Sequence, residues 1–276
     1  MRKFRKILSS VYYYLFVALV IAFFGLPLLW LMLAPFNSRA SLAVEIPANP
    51  TLDNFQTVFQ NKFAIQALTQ NNLILAIGTM LGITLISTLT AYALSRARIP
   101  GRNYMTYTLM LFSSVVTGTA AMVPIFLIIS GIGLIDSSLG VIMVLIGGSL
   151  PSAIFIMRDF VDAIPRSYEE SAVVSGATPF QVFMDVALPL VRPGMMVIAV
   201  WAFVNAWGAF LIPFVLLRSP DKLPASTAIY SFYTEAGTPN IRLVSAYSFL
   251  YALPVLIFYL LVNWKYGFRF FGGIKR

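Results

Sequence analysis

The residues of this chain that could carry chemistry are polar side chains that bind rather than react. Its 276 residues include neither histidine nor cysteine. The chain therefore lacks the commonest general base, and it has no thiol for a metal site or a disulfide. It also lacks the Gly-x-x-x-x-Gly-Lys-Ser/Thr loop that holds nucleotide phosphates, and no carboxylate pair is clustered inside an apolar segment. These features disfavour a membrane-embedded enzyme and favour binding or transport.

The most informative polar residues lie in an insert between two long apolar segments, from Ile164 to Leu190. Its first part contains Ser167-x-x-Glu170, the pattern of a capping box, in which the serine and the glutamate satisfy amides at a helix start. Pro165 precedes this box and blocks extension of the fourth apolar segment. Gly176 suits the left-handed residue that ends a helix. The pattern predicts a short helix followed by a sharp turn.

A second helix start follows that turn. Thr178-Pro179-x-Gln181 is another capping box with proline at the first helical position, and Pro189 and Pro193 are predicted to stop the helix. The two helices would carry two apolar groups: Tyr168, Ala172 and Val173, then Phe180 and Phe183. One group can pack on a membrane core while the other enters a groove on a partner. An ordinary loop that folds back on the core fits the same pattern.

The composition indicates that lipid is the main solvent of the chain. Hydrophobic residues make up 59% of it, charged residues 11%, and the mean hydropathy is +0.84. Soluble domains carry about 25% charged residues, and a membrane-crossing helix needs about 20 apolar residues. We therefore predict an all-α membrane protein with six spans, at residues 12–34, 71–94, 105–130, 139–157, 194–217 and 245–264.

The basic residues predict the orientation of these spans. One side of the membrane receives 14 of the 19 basic residues: Arg2, Lys3, Arg5, Lys6, Arg96, Arg98, Arg102, Arg158, Arg166, Arg192, Lys265, Arg269, Lys275 and Arg276. Because cytoplasmic loops are enriched in Lys and Arg, both termini and the insert are expected in the cytoplasm. The first apolar run is too long for a signal peptide and is interpreted as an uncleaved span. The net charge of +9 thus reflects topology rather than nucleic-acid binding.

Two outer segments are long enough to hold structure of their own. They are residues 35–68 and 218–244, and each contains three prolines. Short helices near the membrane surface are expected in both.

The insert resembles the EAA loop of the permease subunits of bacterial ABC importers. Glu170-Ser171-Ala172 is followed by Gly176 at the family's spacing, and Leu188-Pro189 closes the motif. Ser171 replaces the first alanine of the pattern, and Ser175 stands where aspartate usually precedes the glycine. Other stretches resemble the carbohydrate-uptake, maltose-type branch: residues 51–55, 91–96 with 101–102, and 272–275.

This resemblance implies a fold, partners and residue roles. It implies one permease domain over residues 1–276, with the six-helix fold of type I importers and a coupling loop at about 158–193. It also implies a cytoplasmic ATPase that binds the ATP, a second and different permease subunit, and an external solute-binding protein. No cofactor is expected on this chain. The residues expected to couple to the ATPase are Glu169, Glu170, Ser171, Ala172, Gly176, Ala177, Leu188 and Pro189.

Polar and aromatic residues inside spans are candidates for the substrate path, because polar groups are costly in lipid. Aromatic faces with a few amides suit a neutral sugar. The candidates are Asn72, Asn205, Trp207 and Tyr247, with Asn71, Ser87, Thr88, Thr90, Trp201, Ser248 and Tyr251 as weaker ones. Helix packing and interfacial anchoring explain such residues equally well. Related sugar permeases often have an acidic residue after Trp-Asn, where this chain has Trp207-Gly208-Ala209.

Two other functions remain open from the sequence. An ABC permease for a polyol, a phosphate ester, an amino acid or a peptide would share the insert motif. An ATP-independent carrier is the other alternative. Because no span holds a secure buried carboxylate or lysine, a carrier coupled to protons or sodium is disfavoured.

Overall fold

The computed structural model describes residues 2–97, 100–101, 104–105, 107–108, 110–111 and 119–266, with side chains at residue 10 and from residue 12 onward. Some predictions fall outside these residues. They concern the middle of the third span (112–118), the basic residues Arg98, Arg102, Arg269, Lys275 and Arg276, and the resemblance of residues 272–275.

The described residues form helices joined by turns and irregular segments, with two isolated bridges at Asn37–Pro50 and Tyr233–Pro239. In chain order the helices are α1 (Arg2–Leu33), α2 (Asp53–Gln60), α3 (Lys62–Arg96), α4 (Thr119–Gly131), α5 (Ser138–Asp162), α6 (Arg166–Val174), α7 (Pro179–Trp207), α8 (Leu211–Leu216), α9 (Ala225–Ala228) and α10 (Ile241–Tyr266). Five of them, α1, α3, α5, α7 and α10, are long and apolar enough to cross a membrane. Short helices lie in both outer segments, as the sequence predicts.

Two of the long helices contain a wide π-helical turn. In α3 it covers Ala67–Asn71, and in α7 it covers Val182–Ala187. Such turns hold one residue more than an α-helical turn and often mark functional sites. In α7 the wide turn comes just before Pro189, where it leaves room for the proline ring.

The fifth predicted span, 194–217, is not one continuous helix. The helix stops at Trp207, and a separate six-residue helix, α8, begins at Leu211. The break covers Gly208 to Phe210, and Pro213 follows it. Glycine lowers helix stability, and proline cannot donate to the preceding turn, so the apolar run does not continue as one helix.

The chain divides into two compact units, of which the first comprises residues 1–65 and 229–253. An aromatic group of Phe36, Phe55 and Phe249 lies in this unit, with ring centroids 5.2–6.1 Å apart. Beside it the buried amide of Asn54 donates to the carbonyls of Pro35 and Asn37 at 2.9 and 3.0 Å. These contacts hold the chain that follows α1 against α2.

The second unit comprises residues 66–228 and 254–276, and α3, α5 and α7 form its centre. Their shared core consists of Ile83, Ala91, Ala153, Met157, Val161, Ile164, Val191, Ile198 and Ala202. At Gly194 of α7 a β-carbon would lie 2.5–2.9 Å from atoms of Phe160 on α5. Only glycine allows this approach, so the two backbones are set close together at that point.

A compact polar joint connects two loops of the second unit. Asp136 accepts the amides of Arg218 and Ser219 at 2.9 and 3.0 Å, and Lys222 Nζ donates to its carboxylate at 2.9 Å. The backbone of Asp136 has φ +59°, a left-handed conformation that aspartate tolerates. The hydrogen bond from the Ser219 hydroxyl, followed by those from its amide, Lys222 and the Arg218 amide, holds the pKa of this carboxyl well below its usual range.

Candidate functional site

Helix α6 supplies four of the eight predicted coupling residues, and it starts without a capping box. It begins at Arg166 with Pro165 as its cap, and no side chain bonds the first amides. The prediction that Ser167 and Glu170 form a capping box is therefore wrong. Pro165 already takes the extended conformation required before a helix, so Ser167 lies inside the first turn and cannot cap it.

The turn after α6 is a Schellman motif. Gly176 has φ +89°, its amide donates to Val173 O at 2.9 Å, and the amide of Ala177 donates to Ala172 O at 3.0 Å. Two carbonyls at the helix end are satisfied in this way. The predicted left-handed role of Gly176 is confirmed.

The start of α7 confirms the second capping box. The Thr178 hydroxyl accepts the amide of Gln181 at 3.3 Å, and Gln181 Oε1 accepts the amide of Thr178 at 2.8 Å. The expected stop at Pro189 and Pro193 is wrong, because both prolines lie within a helix that runs on to Trp207. The insert is therefore one short helix followed by the first turns of a long one.

A largely buried ion pair joins α6 to the end of α3. Arg96 Nε lies 2.8 and 2.9 Å from the two carboxylate oxygens of Glu169, and its Nη2 lies 2.7 Å from Oε1. The hydroxyl of Tyr92, one turn earlier on α3, donates to Glu169 at 3.4 Å. The side chains of Arg96 and Glu169 are only 15% and 12% exposed. This contact joins residues 73 positions apart in the chain.

The rest of α6 faces solvent. None of its residues is fully buried, and Glu170 and Ser171 are exposed. Large apolar side chains are exposed on α6 and at the start of α7: Tyr168, Val173, Val174 (89%) and Phe180 (72%). Phe183, in contrast, packs on Tyr92 with ring centroids 4.9 Å apart. A groove of about 770 Å³ lies among these residues and is lined by Arg96, Glu169, Glu170, Val173, Val174 and Pro179.

The other predicted coupling residues lie in α6, in the turn after it and in α7. Ala172 and Ala177 are half-buried at the end of α6 and in the turn, and Leu188 and Pro189 are half-buried just after the wide turn of α7. Ser171 donates its hydroxyl to Ser167 O at 2.8 Å within α6. The structure thus places Glu169 to Ala177 on one continuous segment, with Leu188 and Pro189 on the next helix.

Two of the predicted substrate-path residues meet in the second unit. The Asn72 side-chain amide donates to Trp207 O at 3.2 Å, at the end of α7. Asn72 and Trp207 are 1% and 2% exposed, and Trp207 stacks on Phe203 with centroids 5.4 Å apart. Within the described residues the Oδ1 atom of Asn72 is buried without a hydrogen-bond partner.

Asn205 and Tyr247 lie elsewhere. The Asn205 amide is exposed and donates to Trp201 O at 2.8 Å within α7. It lines a recess of about 340 Å³ with Trp201, Val204, Ile156 and Tyr259. In the first unit, Tyr247 is buried, its ring is tilted against Phe232 with centroids 5.2 Å apart, and its hydroxyl donates to Ala64 O at 3.4 Å.

Sequence reasoning missed the part that Tyr92 and Arg96 play at the insert. In the sequence analysis Arg96 supports the membrane orientation, and Tyr92 and Arg96 both belong to a stretch that resembles the family. One signal was present: the two residues are four apart, so they share a face at the end of a predicted span, facing the side that holds the insert.

Comparisons with known proteins show the family of this chain. Residues 104–268 match the family described as binding-protein-dependent transport system inner membrane component. The galactooligosaccharides transport system permease protein GanQ of Bacillus subtilis (strain 168) is 29% identical over 265 residues, which cover 95% of this chain and 93% of that protein. The maltodextrin transport system permease protein MdxG of the same organism is 30% identical over 274 residues, 98% of each.

A solved structure shares the fold. One chain of a bacterial ABC transporter involved in the import of the acidic polysaccharide alginate has a TM-score of 0.76 and 22% identity, with 95% of this chain and 96% of that chain covered. The family match spans more than half of the chain, including the whole insert and α7 to α10. This chain is a multi-pass protein of the cytoplasmic membrane, and it belongs to the family of inner membrane components of binding-protein-dependent transport systems.

Proposed function

We propose that this chain is a permease subunit of an ATP-driven importer that moves a sugar or a related solute across the cytoplasmic membrane. The observation that carries the proposal is the end-to-end similarity to the maltodextrin permease protein, which covers 98% of both chains. The galactooligosaccharides permease protein supports the same solute class. We expect alternating access, in which a cavity opens first to one side of the membrane and then to the other.

The proposal includes partners that the chain needs for transport. A cytoplasmic ATPase would bind the ATP, dock on α6 and receive its exposed apolar side chains. A second, different permease subunit would complete the path, and an external solute-binding protein would deliver the solute, as the family description implies. The chain itself would neither catalyse a reaction nor hold a cofactor.

The proposal also includes the finer topology. We propose six spans within a single permease domain, with the third span containing α4, and both termini in the cytoplasm. The 14 basic residues on one side support this orientation. The insert would then be cytoplasmic, where an ATPase can reach it.

The substrate path is proposed from chemistry. Asn205 and Trp201 line a recess in which an aromatic face lies beside an amide, a combination that suits a sugar ring and its hydroxyls. Asn72 and Trp207 meet where α7 ends, next to the helix break that precedes α8. We propose that Asn72, Asn205, Trp207 and Tyr247 lie along or support the path.

Purification and uptake test the function together. A tagged chain is purified from membranes of its native host, and its partners are identified by mass spectrometry. An ATPase subunit and a second permease are expected. The complex is then placed in proteoliposomes with ATP and its binding protein, and uptake of labelled maltotriose, galactotriose and, as controls, an amino acid and a peptide is measured.

Import of either sugar supports the proposal. Import of only the amino acid or the peptide would replace sugar with another solute, and solute movement without an ATPase would refute an ABC permease.

A further inference from the structure

We propose that Arg96 and Glu169 form a positioning pair that makes α6 move as one body with α3, so that a force on the docking helix reaches the end of α3 that holds Asn72. This inference rests on the proposed function and names two residues through which coupling passes. Neither residue would touch solute or ATP.

The guanidinium group of Arg96 joins three helix ends. It holds the Glu169 carboxylate of α6 with two nitrogens, at 2.7–2.9 Å. Its Nη2 also donates to the carbonyls of Val161 and Ile164, at and just beyond the end of α5, at 3.3 and 3.2 Å. The planar fork of arginine makes such a set of bonds, whereas a lysine ammonium cannot.

Neighbouring contacts support the same junction. Arg96 Nη1 donates to the hydroxyl of Ser95 at 2.9 Å, and that hydroxyl donates in turn to Asp162 of α5. Arg166, the first residue of α6, donates to Ser95 O at 3.4 Å. The charges of Arg96 and Glu169 are largely hidden from water, which screens such a pair less than one on the surface.

Helix α6 needs such an attachment. It has only nine residues, no side-chain cap and no fully buried residue, and helices of that length are marginal alone in water. It is flanked by Pro165 and by Gly176 in a left-handed conformation. Without the contact to α3, a push on α6 could be absorbed at these two flanks.

The adjacent carboxylates of Glu169 and Glu170 lie in different environments. Glu169 faces inward to Arg96 and Tyr92, whereas Glu170 is exposed at the edge of the groove. From the pair, α3 runs as one helix to Asn72, roughly 36 Å away at about 1.5 Å per residue. A partner that displaces α6 would displace the far end of α3 through this helix.

The test measures how much solute enters per ATP hydrolysed. Proteoliposomes hold the whole complex with Arg96→Gln, Glu169→Gln or the charge-reversed pair Arg96→Glu with Glu169→Arg. The solute is maltotriose or galactotriose, whichever the wild-type complex imports faster. The amount of solute imported is divided by the amount of phosphate released. We expect both single variants to lower this ratio at least about fivefold, the lower end of ordinary coupling between sites. The reversed pair should recover part of the loss.

Matched controls and a milder variant keep the test decisive. Arg39→Gln and Glu45→Gln remove exposed charges of the same kind outside the coupling loop and should keep the wild-type ratio. If Arg96→Gln does not assemble, Arg96→Lys carries the test, because it keeps the charge and loses the fork. A wild-type ratio in the single variants, or no recovery in the reversed pair, would overturn the inference. Absence of uptake by the wild-type complex would instead count against the proposed function.

Discussion

At the residue scale, the structure of the insert depends on a few backbone conformations and side-chain contacts. Some of these can be predicted from the local sequence and others cannot. Gly176 and the Thr178 box are local features, each determined within four residues, and both were predicted correctly. The partner of Glu169 is 73 residues away, so no local pattern indicates it. The exposed face of α6 follows from that contact, because the side chain held by Arg96 decides which residues turn outward.

Gly176→Val should prevent docking of the ATPase. Valine at φ +89° is strongly unfavourable, with a cost of roughly 1–2 kcal/mol or more, so the Schellman turn would open and α6 would change direction. Gly176→Asn should be much milder, since asparagine tolerates left-handed backbone. The measurement is ATPase co-purification with each variant.

Gly147→Val is the matched control for this prediction. Gly147 is exposed in the helical α5 with nothing near its missing β-carbon. Full ATPase recovery with Gly176→Val would contradict a docking role for α6.

Asn205→Ala and Trp207→Ala should separate transport from stability. Asn205 is exposed, and among the described residues its amide donates within its own helix, so we expect reduced uptake at unchanged yield and melting temperature. Trp207 is buried, and its removal leaves a cavity that costs about 3–5 kcal/mol, so its variant should melt earlier as well. Leu81→Ala, at an exposed position of α3 outside this recess, is the control. Wild-type uptake by Asn205→Ala would leave this residue outside the path.

At the element scale, sequence patterns found the helices but not their interruptions. Apolar length predicted the long helices well, since lipid requires it. The stop assigned to Pro189 and Pro193 failed, because a wide turn accommodates the first proline and the helix continues. The break after Trp207 was missed, because its flanking residues are as apolar as a span. The carbonyl contacts between Arg96 and α5 depend on packing, which periodicity does not encode.

Gly194→Ala should destabilise the bundle more than Gly78→Ala. The new methyl at Gly194 meets the inner atoms of Phe160, at 2.5–2.9 Å, which cannot withdraw without moving α5. At Gly78 it meets the terminal methyl of Ile142 at 2.7 Å, which can rotate away. Overpacking of the first kind typically costs about 1–3 kcal/mol.

Melting temperature in detergent tests this order, and Phe160→Leu combined with Gly194→Ala should recover part of the loss. Equal melting of the two single variants would show that α5 and α7 can separate freely.

The joint at Asp136 should make stability depend on acid pH. Its carboxyl has a lowered pKa in the folded protein, chiefly through the Ser219 hydroxyl. The stabilisation is therefore complete above the unfolded pKa of about 3.9 and is lost as the pH falls below it. Asp136→Asn keeps the left-handed backbone but loses the charge. The melting difference between the two proteins should be largest at neutral pH and shrink below about pH 4; a constant difference would contradict the assignment.

At the scale of the whole molecule, the charge distribution and the composition of the sequence are the most useful predictors. The basic residues predict an orientation for every loop, and the apolar content predicts a membrane protein, without any tertiary information. The prediction of a single domain stays a prediction, while the contacts define two compact units. Composition gives little information about partner subunits. The expectation of partners therefore rests on the insert and on the family match.

Labelling of single cysteines should test the orientation, and the cysteine-free chain gives no background. Ser175→Cys, after α6, and Ala236→Cys, in the outer segment before α10, both lie at exposed positions. In intact cells an impermeant maleimide should label only Ala236→Cys, and permeabilisation should expose Ser175→Cys. Labelling of both positions from outside would refute the topology.

The wide turn in α7 has a consequence for how this helix can be compared and engineered. It holds one residue beyond the α-helical repeat, so the faces before Val182 and after Ala187 are out of phase by about 100°. A helical wheel drawn straight through it misassigns one side. Deleting one residue between Val182 and Ala187 would restore an ordinary turn, shorten the helix by one residue and rotate the face that carries Phe180 relative to the face that carries Asn205. Such a deletion would change the phase between the docking end and the transport end of one helix without altering the composition of either.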